Sequence, residues 1–297
     1  MTKAAHRVAV CRWDEIMLTV NVAATDSQSS VNEDVVGYHG NAAWVIDGAT
    51  GIGPALLEAP SDAAWLARTI DASFRQSLVK DPTVPTQVLV RQAILICRDA
   101  LHNSAIRIAE GPHEHPSAAF AMFRDFGDHL ELSGLGDCRI AYVDEAGQAR
   151  LFSDTSLDAI EKQTLVLLRD TIAAEPNIDS KEMFERLVPQ LRANRRRMNK
   201  PGGYWVLSTE PEAADRLAKL MLPAHAGQRF AIASDGFLRL VELFEVAAPQ
   251  DLIVIDSDAA WREWLERLRA IEREPGSCRD YVRVKVHDDA TFLNLGI

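Results

Sequence analysis

Residues 42–48 read Ala-Ala-Trp-Val-Ile-Asp-Gly. A short apolar run with β-branched residues suits a buried strand, here Ala42 to Ile46, and it stops at Asp47-Gly48. The arrangement returns at Phe230 to Ala233 followed by Ser234-Asp235-Gly236, at Gly136-Asp137 and, without glycine, at Asp288-Asp289 after the alternating run Tyr281 to Val286. A strand end fixes a side chain while leaving it open to solvent. Carboxylates gathered from several strand ends repel one another unless a cation lies between them. Such oxygen donors select Mg²⁺ or Mn²⁺ over zinc. Asp-Gly is also a common turn dipeptide, so any one of these motifs by itself reads as a turn.

The chain around these motifs interleaves strands with paired helices. Ile16 to Ala24 is rich in β-branched residues and is expected as the first strand. Ser61 is an expected N-cap, followed by a helix with Ala64, Trp65, Ile70, Phe74 and Leu78 near one face. A second helix is expected over Val88 to Ile108, ended by Gly111-Pro112. Residues 117–153 read as a β-meander broken at Gly127-Asp128, Gly136-Asp137 and Glu145-Ala146-Gly147. Residues 155–200 read as mostly helical, and Tyr204 to Leu207 and Thr291 to Leu295 as strands. No repeat, low-complexity tract or Gly/Ser linker divides the 297 residues, so one domain over 1–297 is expected.

Charge and composition narrow the function. Forty-three acidic residues against thirty-two basic ones leave a formal net charge of −11, which argues against non-specific nucleic-acid binding. With 47% hydrophobic and 25% charged residues the composition is that of a globular protein. No apolar run approaches the ~20 residues of a membrane helix, and Met1 to Val10 lacks the pattern of a signal peptide. Cys11, Cys97, Cys138 and Cys278 are widely spaced and form no CxxC pair. Reduced thiols and a cytoplasmic location are therefore expected.

The series Asn32-Glu33-Asp34, Val45-Ile46-Asp47-Gly48, Gly136-Asp137-Cys138-Arg139, Ala233-Ser234-Asp235-Gly236 and Asp288-Asp289-Ala290-Thr291 resembles the motif series of the metal-dependent protein phosphatases, the type 2C or PPM family. Each motif is short, but the five in this order extend the resemblance over nearly the whole chain. It implies an α+β fold, a four-layer αββα sandwich of two antiparallel sheets flanked by helices. A variable flap-like segment would span about 155–203. It further implies two Mg²⁺ or Mn²⁺ ions per chain, with a weaker third in bacterial members. Asp47 would bridge the two ions, the Gly48 carbonyl would bind the first, and Asp235 and Asp288 the second. Glu33 and Asp34 would act through metal-bound water, and Asp137 would help hold the third ion, with Asp154 a further candidate for that role. The implied activity is hydrolysis of phosphoserine and phosphothreonine in proteins by a hydroxide bridging the two ions, with no protein nucleophile.

The pattern departs at two positions. Ser29 stands where many members carry a phosphate-gripping arginine, and Ala49 where eukaryotic members carry a histidine. The basic run Arg192, Arg195, Arg196, Arg197 and Lys200 is a candidate for the missing grip, since it falls in the flap-like segment; the alternative reading is a solvated helix face. Arg139 reads as a tie between the meander and the core. The absent arginine keeps a second function open, a two-metal phosphatase for a small molecule or a non-standard phospho-residue. A third is a weakly active regulatory module on the same scaffold. The expected partner is a phosphorylated protein, with no nucleic acid and no membrane, and nothing in the sequence specifies an oligomeric state.

Overall fold

A computed structural model describes residues 18–176 and 178–297. In chain order the strands and helices begin β1 (Thr19–Asp26), β2 (Val35–His39), β3 (Ala42–Ala49), α1 (Asp62–Lys80), α2 (Thr86–Ser104), β4 (Ser117–Asp125), β5 (His129–Leu135), β6 (Arg139–Val143) and β7 (Ala149–Phe152). They continue α3 (Asp158–Ala174), α4 (Ser180–Arg195), β8 (Ala218–Pro223), β9 (Arg229–Ala233), α5 (Asp235–Glu242), α6 (Pro249–Ile253), α7 (Asp258–Arg273), α8 (Ser277–Asp280) and β10 (Ala290–Gly296). One five-stranded sheet runs β1-β10-β9-β6-β7 and the other β2-β3-β4-β5-β8. Every pairing in both is antiparallel.

Three apolar layers hold the stack together. Between the sheets, Val45, Phe123 and Leu132 meet Ile140, Phe230, Ile232 and Leu293, with the Phe123 and Phe230 rings 4.7 Å apart. On the outer face of the second sheet, Trp44, Ile46 and Phe120 pack on Leu66, Ile70 and Phe74 of α1 and on Leu89, Val90 and Ile94 of α2. On the outer face of the first sheet, Phe292 and Ala231 pack on Phe237, Leu252, Trp261 and Leu268. β3 touches neighbours on both faces, which explains why it reads as an apolar run rather than an alternating one, and β4 is likewise buried along its whole length. The result is a helix–sheet–sheet–helix stack, the fold class expected. α3 and α4 lie apart from it and pack mainly on each other through Leu168, Met183 and Leu187.

Several local expectations change. β3 does not stop at Ile46: Asp47 and Gly48 lie inside the strand, in register with Ala119 and Ala118 of β4. The expected meander divides between the sheets, β4 and β5 in one and β6 and β7 in the other. The crossing is at Gly136, whose φ of 79° suits glycine. The second helix ends at Ser104, because the chain then turns to bond the Ile106 amide to the Leu56 carbonyl. Tyr281 to Val286 forms no strand. The Arg283 guanidinium instead gathers the carbonyls of Ser277, Tyr281, Glu272 and Val286, wrapping the segment around itself. Tyr204 to Leu207 makes only isolated bridges, Met198 to Tyr204 and Ala118 to Leu207. β2 and β8 were not expected at all; both are edge strands with partly exposed residues and weak apolar patterning. Cys11 and the expected strand start at Ile16 lie outside the described residues.

Candidate metal centre

Asp47 is placed by the continuation of β3, and its environment is made by carboxylates from four other parts of the chain. Desolvation holds its pKa well above the carboxylate range, and the charges of Asp34, Asp235, Asp137 and Asp288 add to that. Asp34 leads into β2, Asp137 lies in the crossing from β5 to β6, Asp235 opens α5 just beyond β9, and Asp288 precedes β10. The two sheets therefore deliver these residues to one edge of the sandwich.

The pKa of Asp235 is raised by burial and by Asp288, with Arg239, Lys285 and the neighbouring Asp47 side chain opposing. Asp34 is pushed up to about 8, first by burial and then by Asp289 and Asp235, against the lowering effect of the Thr291 and Ser234 hydroxyls. Asp137 is raised by burial, by Asp235 and by a contact with Glu161 of α3, whose own carboxyl is raised chiefly by burial. Burial and this ring of anions also push up the Cys138 thiol.

The edge is braced by hydrogen bonds. The Glu33 amide donates to Asp289 Oδ2 at 2.7 Å. The Glu33 carboxylate accepts from Thr50 Oγ1 at 2.5 Å and from Ser61 Oγ, which also caps α1 through the Ala64 amide. Gly236 lies so close to the Asp289 carbonyl that a Cβ there would come within 2.0 Å of the oxygen. Asp288 is held on both oxygens: Arg239 Nη2 meets Oδ2 at 3.0 Å and Lys285 Nζ meets Oδ1 at 3.0 Å. Arg239 is itself anchored on the fully buried Glu272 at 2.6 Å.

The donor set fits hard divalent cations. It is all oxygen, and Asp34 Oδ2 is buried without a hydrogen-bond partner, a costly position for a carboxylate oxygen. Among the described residues no three His, Cys, Asp or Glu side chains are already arranged as a cage for an ion. Asp288 is drawn toward Arg239 and Lys285.

Of the sequence-selected residues, Asp34, Asp47, Asp137, Asp235 and Asp288 thus converge. Gly48 follows Asp47 within β3, and Glu33 borders the group through Asp289. Asp154 accepts from the Gly136 amide, next to Asp137, at 3.2 Å and from Ser156.

The basic run does not converge as a set. Arg195 alone turns inward, and both of its Nη atoms are committed. One donates to Ser117 Oγ at 2.8 Å and the His115 carbonyl at 3.3 Å, the other to the Ala49 and Thr50 carbonyls at 3.0 and 2.9 Å. This corrects the expected phosphate grip at Arg195: no fork remains free for bidentate phosphate binding, and the side chain pins the end of β3 instead. Arg197 donates to the Gly202 carbonyl, while Arg192 and Arg196 are exposed. Arg139 bonds Glu242 at 3.0 Å and Ser153, tying β6 to α5 and to the segment after β7.

Sequence reasoning passed over Glu161, Arg239, Lys285 and Glu272. Arg239 carried a signal, a lone charge inside Phe237-Leu238-Arg239-Leu240-Val241 and four residues after Asp235. Glu161 carried none, because its approach depends on how α3 packs.

Comparison with known proteins agrees with this architecture. A family model described as Protein phosphatase 2C matches residues 25–280. The chain is similar to the Mycobacterium tuberculosis serine/threonine phosphatase PstP/Ppp, at 16% identity and a TM-score of 0.57, covering 95% of this chain and 99% of that one. The catalytic domain of PstP in complex with two manganese ions also aligns, at 16% identity and a TM-score of 0.55 over 94% of this chain and 97% of that one. So does Stp1 from Staphylococcus aureus, at 14% identity and a TM-score of 0.54 over 95% and 96%. A comparison with curated protein sequences gave no significant match. With the motif order, the sandwich and the family match over most of its length in agreement, the chain belongs to the protein phosphatase 2C family.

Proposed function

We propose that this protein is a Mg²⁺- or Mn²⁺-dependent phosphatase acting on phosphoserine and phosphothreonine in proteins. The observation that carries the reading is the gathering of Asp34, Asp137, Asp235 and Asp288 around Asp47, with a buried, unpartnered oxygen on Asp34. Asp47 would be shared between two ions, with the Gly48 carbonyl on one and Asp235 and Asp288 on the other. Glu33 and Asp34 would orient water at the ions, and Asp137 with Glu161 would receive a third. When bound, the two ions supply an activated water for in-line attack on phosphorus and offset charge on the transferring group.

The chain's own residues do the positioning. Thr50 and Ser61 fix the Glu33 carboxylate. Arg195 fixes the backbone just past Gly48 through the Ala49 and Thr50 carbonyls. Arg239 fixes one oxygen of Asp288. The exposed Arg192 and Arg196 would meet acidic parts of a phosphoprotein.

The test is hydrolysis of an aryl phosphate and of phosphoserine and phosphothreonine peptides in Mn²⁺, with EDTA as control. Asp47→Asn and Asp235→Asn should each lower kcat by more than ~100-fold, as expected for loss of a metal ligand. Wild-type rates in either variant would remove the assigned centre. Turnover of the aryl phosphate but of neither peptide class would favour a non-protein substrate, the reading that Ser29 in place of an arginine keeps open.

A further inference from the structure

Asp288 is gripped by two protein cations of different character. Arg239 is fixed, with Glu272 Oε1 at 2.6 Å and the Val286 carbonyl at 3.3 Å behind it. Lys285 has a single bond, to Asp288 Oδ1, and its side chain is 60% exposed on the irregular segment before β10. The negative charges of Asp288, Asp235 and Asp47 all act on the Lys285 ammonium. These three carboxylates are the ones that the proposed function gives to the two ions, Asp235 and Asp288 to the second.

We propose that Lys285 is a tethered counter-cation that competes with a divalent ion for the Asp235–Asp288 half of the centre, so that it sets the affinity for that ion. The inference rests on the two-ion reading. An ammonium on Oδ1 and a guanidinium on Oδ2 leave Asp288 no oxygen free of a positive partner. Like charges repel strongly in a partly desolvated site. Arg239 cannot leave without breaking its buried 2.6 Å bond to Glu272, whereas Lys285 can swing into solvent. In the ion-free protein the same ammonium offsets repulsion among Asp47, Asp235 and Asp288; once an ion arrives it is redundant.

The test is calorimetric titration of the EDTA-stripped full-length protein with MnCl₂, in wild type, Lys285→Ala and Lys285→Arg. Lys285→Ala should bind one of two ions about tenfold more tightly, within the range seen when a group beside a metal ligand is changed. Lys285→Arg, which keeps the charge, should stay near wild type. Thermal melts separate this from simple packing. Lys285→Ala should lower Tm by about 2–4 °C in EDTA and leave it unchanged or higher in saturating Mn²⁺, whereas lost packing would lower both. Two-ion binding by wild type with no tightening in Lys285→Ala, or equal tightening in Lys285→Arg, overturns the proposal. Failure of wild type to take up Mn²⁺ at millimolar concentration overturns the two-ion reading beneath it.

Discussion

Glu272, near the end of α7, and Asp288, just before β10, are joined by one side chain: Arg239 lies 2.6 Å from the first and 3.0 Å from the second. Glu272 also binds Arg269 at 2.7 Å and His287 Nδ1 at 2.9 Å, and Arg269 reaches Asp26 at the end of β1. A network thus runs from the end of the first strand to Asp288, just ahead of the last.

Removing the hub should be costly. Glu272→Ala leaves the buried Arg239 with only Asp288 and the buried Arg269 with only Asp26 as counter-charge, which is expected to destabilise the fold by about 1–3 kcal/mol. Urea denaturation followed by tryptophan fluorescence measures this; a loss under about 1 kcal/mol would show that the network contributes little.

The ion-free protein should weaken as pH rises. Asp34 is held up to about 8, and Asp47, Asp137 and Asp235 are also raised, so between about pH 4 and 8 the folded state binds more protons than the unfolded state. Stability in EDTA then falls with increasing pH through that window. Mn²⁺ requires the deprotonated carboxylates, so its stabilising effect should grow over the same range, with protons released on binding. Melting curves at pH 5.5 and 8, with EDTA and with Mn²⁺, check both signs; a Tm in EDTA that rises toward pH 8 contradicts the assignment.

Arg195 should act on architecture rather than on substrate affinity. Arg195→Ala removes donors from the Ala49 and Thr50 carbonyls and from Ser117, at a cost of about 1–3 kcal/mol. The expected kinetic signature is a lower kcat with KM changed less than twofold. Lysine should not rescue it, because a single ammonium cannot bridge the two sides that the guanidinium spans. A large rise in KM with unchanged kcat would restore the phosphate-grip reading.

Gly236→Ala should distort the centre. The added methyl would meet the Asp289 carbonyl at 2.0 Å, so β10 or α5 must shift. A destabilisation of about 1–3 kcal/mol is expected, together with weaker Mn²⁺ binding. Unchanged calorimetry and melting would mean that the close approach is absent in solution.

Much of the fold was legible because burial writes itself into local pattern. The apolar runs at Ala42–Ile46 and Phe230–Ala233 each sit inside an observed strand. The Ser61 cap predicted the start of α1. The edge strands β2 and β8 were not legible, since β2 is five residues long with a glycine at its middle and β8 ends in Pro223. Tyr281 to Val286 misled for a different reason: its alternation belongs to a segment curled around Arg283, and Val284 and Val286 are exposed.

The sequence by itself determined which carboxylates follow or interrupt apolar strands, and their order along the chain, because those are local properties of hydrophobic runs and turn residues. Tertiary structure alone decided how their charges are balanced. The Arg195 clamp on Ala49 and Thr50, the Glu161 approach to Asp137 and the grip of Arg239 on Asp288 join residues far apart in the chain. Which cation faces which anion depends on where the segments carrying α3, α4 and α5 are placed relative to the sheet edge, and no sequence period encodes it.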